Sequence, residues 1–173
     1  MTPLRLEGRA RAFGDNINTD YIVASRRKRE SLDPQVLRQF LFEEIDPGFA
    51  ASVEPGDLIV AGKNFGCGSA MEVAATVILA AGIRAVIAKS YSRTFFRNAI
   101  NNGLIPVECD TNGFDEGDRL SVIFRGADIS VVNHTKEVTL TAAPISGIAL
   151  DILEAGGLVP YLREHRVFSD ERR

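Results

Sequence analysis

Residues 62–74, GKNFGCGSAMEVA, set Gly62, Gly66 and Gly68 around Cys67 and end on Ser69 and a run of short side chains. A phosphate loop needs a lysine and a Ser or Thr directly after its last glycine. Here Gly68 is followed by Ser69 and Ala70, and Lys63 precedes the loop. The dinucleotide spacing fails as well, because Met71 stands where the third glycine belongs. Cys67 has no histidine near it in sequence and reads as a small buried apolar residue. Ser69 and Glu72 have the spacing of a capping box, which predicts Ser69 as the N-cap of the following helix. So many glycines bring backbone amides close to something, and a helix N-terminus favours an anion. A carboxylate substrate suits such a place.

A second stretch, GDNINTDYIVASR (14–26), carries Thr19 and Asp20 in a turn-rich loop. Asp20 has the neighbours of an Asx-turn residue and also those of a site carboxylate. The run that follows, SRRKRESLD (25–33), reads as a loop holding Arg26, Arg27, Lys28 and Arg29 in a row. One account is a solvated face or a patch for an acidic partner. The other is that Arg26 or Arg29 binds a carboxylate.

These residues need a scaffold. The sequence LRLEGRARAF (4–13) alternates like a first strand. DPQVLRQFLFEEI predicts a helix, with Asp33 capping, Pro34 in the first turn, and Val36, Leu37, Phe40 and Leu41 as its apolar face. PGDLIVAG (55–62) is a turn feeding a buried strand, AMEVAATVILAAG a buried helix ending at Gly82, and RAVIAKS (84–90) a strand. YSRTFFRNAINNG is a helix stopped near Gly103, and LIPVE (104–108) a further strand. Strands alternating with helices favour parallel pairing through helical crossovers. DRLSVIFR, DISVVN and EVTLTA then form a β-run with NHTK as a hairpin turn, SGIALDILEAGG a last helix, and LVPYLREHRVFSDERR a tail whose end, 166–173, frays. The expectation is an α/β fold with a mixed sheet, residues 1–173 forming one domain.

Composition narrows the partners. A net charge of −3 gives no electrostatic case for nucleic acid or a membrane surface. The start has no apolar signal segment, and no apolar run approaches the ~18–20 residues of a membrane span, so the default location is the cytoplasm. Two cysteines, Cys67 and Cys109, and two histidines, His134 and His165, are too few for a four-ligand metal site, so no metal held by this chain is expected. Both histidines read as exposed, the pair Arg93 and Arg97 as structural or interfacial, and Cys109 as structural.

The two motifs together with AGIRAVIAKSYSRTFFRNAINNGLIPVE (81–108), continuing to GGLVPYLRE (156–164), resemble the small subunit of 3-isopropylmalate dehydratase. The homoaconitase small subunit and the C-terminal swivelling domain of aconitase share the pattern. The resemblance implies a swivelling β/β/α domain that closes over a large subunit, and a [4Fe–4S] cluster held by that partner rather than by this chain. It implies removal and re-addition of water on a small hydroxy-diacid. By the same resemblance Ser69 matches the serine base and Asp20 the acidic residue of the Thr-Asp pair, with Thr19, Gly66 and Gly68 beside substrate. The sequence departs from the family at Met71, where an arginine for a substrate carboxylate is expected. Arg26 or Arg29 is the expected substitute. Lys28 falls near a position where the family has leucine, and a lysine there is a poor wall for an isopropyl group. That points to a more polar or smaller acid, such as a substituted malate or a homocitrate-type acid. Two other readings stay open: a non-catalytic subunit of the same fold, and a free-standing enzyme using Cys67.

Overall fold

In the computed structural model, which describes residues 4–165, the first strand, β1 (Leu4–Ala12), is the seam of the molecule. On one side it pairs in parallel with β2 (Leu58–Ala61), Ala10 opposite Leu58. On the other it pairs antiparallel with β5 (Arg119–Arg125), Leu4 opposite Phe124. With β3 (Ala85–Ala88), β4 (Ile105–Glu108), β6 (Asp128–Asn133) and β7 (Val138–Ala142), the sheet order is β4-β3-β2-β1-β5-β6-β7. The expected mixed sheet is therefore present: a parallel half reached through helical crossovers and an antiparallel half made of hairpins.

The sequence LIVA of β2 and AVIA of β3 are buried at every position, as parallel strands covered on both faces require. Ile59, Ala61, Val86 and Ala88 face one core with Phe65, Phe95 and the helix α5 (Glu72–Ala80). Leu58, Val60, Ala85, Ile87 and Val107 face a second core with Leu120, Val122, Ile129 and Val131 of the antiparallel half. The sheet thus curls until its two halves pack on each other. The crossover helix α6 (Arg93–Asn102) ends as expected at Gly103, whose φ of +82° is left-handed and whose N–H bonds Ala99 O and Ile100 O.

Four local expectations are corrected. The basic run is not a loop, since Ser25–Glu30 is a helix, α2, which follows the short helix α1 (Thr19–Ile22). The long helix expected over 33–45 stops after α3 (Pro34–Leu37) and a 3₁₀ turn at Arg38–Phe40. Leu41 and Phe42 are both 0% exposed, and neighbouring helical residues point about 100° apart. The chain leaves the helix so that both enter the core, with Phe42 at φ +58° and its N–H on Ile22 O. A one-turn helix, α4 (Phe49–Ser52), follows, its Phe49 also fully buried.

Helix α5 starts at Glu72 with Met71 as its N-cap and no capping side chain, so the Ser69–Glu72 capping box does not form. Beyond α7 (Ile148–Glu154), the expected tail is a helix, α8 (Leu158–His165). Its Pro160 lies in the first turn, where a missing N–H costs no helical bond. The fraying expected over 166–173 lies outside the described residues.

Candidate active site

Strands β1 to β4 run in one direction, so the loops after β1 and β2 emerge at the same end of the sheet. Backbone bonds knit these loops together: Asn16 N–H to Lys63 O, Gly66 N–H to Ile17 O and Thr19 N–H to Cys67 O, each 2.8 Å. The Thr19 hydroxyl then donates to Ser69 O at 3.0 Å. That bond accounts for the failed capping box, because the backbone at Ser69 is held by the β1 loop and not by its own helix. Ser69 is exposed three residues before α5, and Thr19, 2% exposed, sits beneath it. Thr19 is a clasp on the loop rather than a surface offered to substrate.

The glycines are likewise explained by close approach. Gly68 has φ +94°, and a Cβ there would meet the Asn18 amide at 2.5 Å. Asn18 Oδ1 accepts the Asp20 N–H at 2.9 Å and caps α1, so the Asx geometry belongs to Asn18 and not to Asp20. Gly66, expected beside substrate, is buried, and its hydrogen faces the Phe95 ring. Gly68 is exposed at the rim with Ser69.

Asp20 leads into α2. The Ser25 hydroxyl donates to Asp20 Oδ1 at 2.6 Å, and Lys28 Nζ reaches the same oxygen at 3.2 Å. The Ser25 bond chiefly holds the Asp20 carboxyl below the usual range, partial burial opposes it, and Lys28 adds to the lowering. Asp20 is therefore a carboxylate at neutral pH. Ser25 and Lys28 are one helical turn apart, so one face of α2 points at Asp20. The Lys28 side chain is only 6% exposed, and its Nζ also lies against Met71 Sδ.

The residues proposed from sequence as the substitute cation lie elsewhere. Arg26 pairs with Glu43 at 3.2 Å and Glu44 at 2.5 Å. Its neighbour Arg27 bonds both oxygens of Glu43 and stacks over Phe40 with Cζ 3.9 Å from the ring centre. Arg29 is exposed on the solvent side of α2. Lys28 is thus the residue that sequence reasoning set aside as a pocket wall. The available signal was its i, i+3 spacing from Ser25.

Other candidates recede. Cys67 is half-buried in the β1–β2 loop seam, while burial, helped by the Asp110 charge, pushes the Cys109 thiol up to about 11. His134 is exposed in the β6–β7 turn with Nε2 2.7 Å from Ser121 Oγ, and His165 is exposed in α8. Arg93 and Arg97 are exposed on α6. Among the described residues no three His, Cys, Asp or Glu are grouped so as to hold a metal ion, and no helix is long and apolar enough to cross a membrane. A cavity of about 770 Å³ between Leu4, Ile105, Phe124 and Ile145 opens at the opposite end of the parallel strands from Ser69, and no candidate site residue lines it.

Comparison with known proteins gives concordant results. Residues 21–112 match the family model described as the aconitase C-terminal domain. The 3-isopropylmalate dehydratase small subunit 2 of Archaeoglobus fulgidus is 44% identical over 163 residues, covering 94% of this chain and 97% of its own. The methanogen homoaconitase small subunit of Methanocaldococcus jannaschii is 41% identical, covering 96% of each. A crystal structure of 3-isopropylmalate dehydratase from M. jannaschii superposes with a TM-score of 0.89 at 40% identity, over 98% of this chain and all of that one.

Proposed function

The chain belongs to the aconitase C-terminal-domain family, among the small subunits of 3-isopropylmalate dehydratase and homoaconitase, and from that premise we propose how its rim contributes to a two-subunit hydro-lyase. As such a small subunit it acts with a large subunit in removing water from a hydroxy-diacid and adding it back. The large subunit carries the [4Fe–4S] cluster, which when bound there offers iron to the substrate hydroxyl and carboxylate. This chain does not suit the cluster itself. Its two cysteines follow different strands, and Cys109 is a buried thiol. The chain works in the cytoplasm as one domain that closes over the partner.

Ser69, as the alkoxide, takes the proton from the substrate carbon and returns it when water is re-added. A serine hydroxyl is a weak base in water and needs preorganised donors around the oxyanion. The amides ahead of α5 and the glycine backbone beside them are suited to that task. Asp20 stays ionised and orients the cationic side of the pocket, while Thr19 holds the Ser69 backbone.

The observation that carries this reading is the clasp from Thr19 Oγ1 to Ser69 O, which ties the Thr-Asp motif and the serine loop into one rim. The test is co-expression with the cluster-bearing subunit, anaerobic reconstitution and assay of a panel of hydroxy-diacids and their dehydrated forms. Ser69→Ala should lower kcat by at least ~10²-fold while the complex remains assembled on gel filtration. Full turnover in that variant would remove Ser69 as the base. An assembled wild-type complex inactive on every acid would favour a non-catalytic subunit.

A further inference from the structure

A hydroxy-diacid brings two negative charges to the rim, where a cation of this chain can meet one of them. Position 71, next to the serine loop, offers only a thioether. Of the cations in the 26–29 run, Arg26 and Arg27 are occupied by Glu43 and Glu44. Arg29 is exposed on another face of α2. Lys28 alone in this run is directed into the rim, its Nζ bridging Asp20 Oδ1 and Met71 Sδ.

We propose that Lys28 binds a substrate carboxylate at this rim, so that the acid presents a carboxylate, not an alkyl group, to the α2–α5 corner. This rests on the functional reading above. An ammonium has three N–H donors. Asp20 takes one, and the thioether of Met71 is a weak acceptor, which leaves donor capacity for an anion. The Lys28 side chain as a whole, ammonium included, is packed and only 6% exposed. Its rotamer freedom has already been lost on folding, so binding an anion incurs little further ordering. Asp20 acts here as a positioning residue: with Ser25 on the same oxygen, it fixes where the ammonium stands. The reading also gives Met71 a purpose. An arginine at 71 would place a second cation against Nζ, and like charges at contact repel.

The reconstituted complex tests this with the best hydroxy-diacid of the panel and the same acid bearing one carboxylate as its amide. Lys28→Met should raise KM for the diacid by ~10-fold or more, with a smaller change in kcat. The amide bound through its uncharged end should lose little further. Lys28→Met combined with Met71→Lys returns the charge across the same contact and should recover most of the loss. If Lys28→Met does not assemble, Lys28→Gln and the double variant give the same readout.

An unchanged KM in an assembled complex whose Ser69→Ala variant is inactive would overturn this inference and leave the functional reading standing. A fall in kcat at constant KM would also overturn it, because Lys28 would then act only through Asp20. Full activity of Ser69→Ala would instead strike at the functional reading itself.

Discussion

A methyl group at position 66 would lie 2.2 Å from Phe95 Cγ, on a backbone held at φ +78°. Neither problem has a local remedy, because the Phe95 ring is 2% exposed and packed edge-on against Phe65 at 5.1 Å. Gly66→Ala should therefore lower stability by about 2–4 kcal/mol, read from the urea midpoint of the purified chain. A stability change below ~0.5 kcal/mol would mean that the ring yields easily. The two loops that meet at this rim could be picked out from sequence, because glycines, a serine and a Thr-Asp pair are the residue types an anion-handling loop would use. Their division of labour could not. Gly66 and Gly68 accommodate Phe95 and Asn18, and Thr19 holds Ser69, all through partners distant in sequence.

Helix α6 shows how an element beyond the rim supports it. The Ser92 Oγ accepts the Phe95 N–H at 3.2 Å, capping the helix, and donates to Gly66 O at 2.8 Å. Ser92→Ala removes both bonds and should cost about 1–2 kcal/mol, with a lower urea midpoint and an unchanged slope. A loss within error would show that water replaces both partners. The helix itself was readable because its start, apolar spacing and terminal Gly103 are local signals. Residues 33–45 were not, because two adjacent core residues, Leu41 and Phe42, override the helical pattern. The run at 25–30 was misread for the converse reason. Its side chains are nearly all charged, so no apolar periodicity announces α2, and ion pairs to Glu43, Glu44 and Asp20 hold it instead.

At the scale of the whole molecule, acid stability is expected to draw on Asp57, the carboxylate that ties the seam strand to the entry of β2. Asp57 is 3% exposed. Burial pushes its carboxyl up, but Arg9, the Glu54 N–H and Arg11 outweigh that and hold it below the ordinary value. A depressed folded-state value contributes stability that is present above the unfolded value of about 3.9 and lost as pH falls through the folded one. Asp57→Asn should lower stability at pH 7 by about 3 kcal/mol and flatten the acid limb below pH ~4, measured as Tm against pH. An acid limb identical to wild type would assign it to other carboxylates.

Some of the chain's character was fixed by residues close in sequence. Buried apolar strands, glycine punctuation and two motifs were enough to read the alternating α/β order, the mixed sheet and the family. Turn chemistry and hydrophobic period act over a few residues, so a linear reading can find them. Which cation meets the rim was decided only by tertiary structure. Four basic residues stand in a row, and each step along α2 turns the side chain by about 100°. Only the packed fold determines that Lys28, and neither arginine proposed from sequence, faces Met71 from 43 residues away.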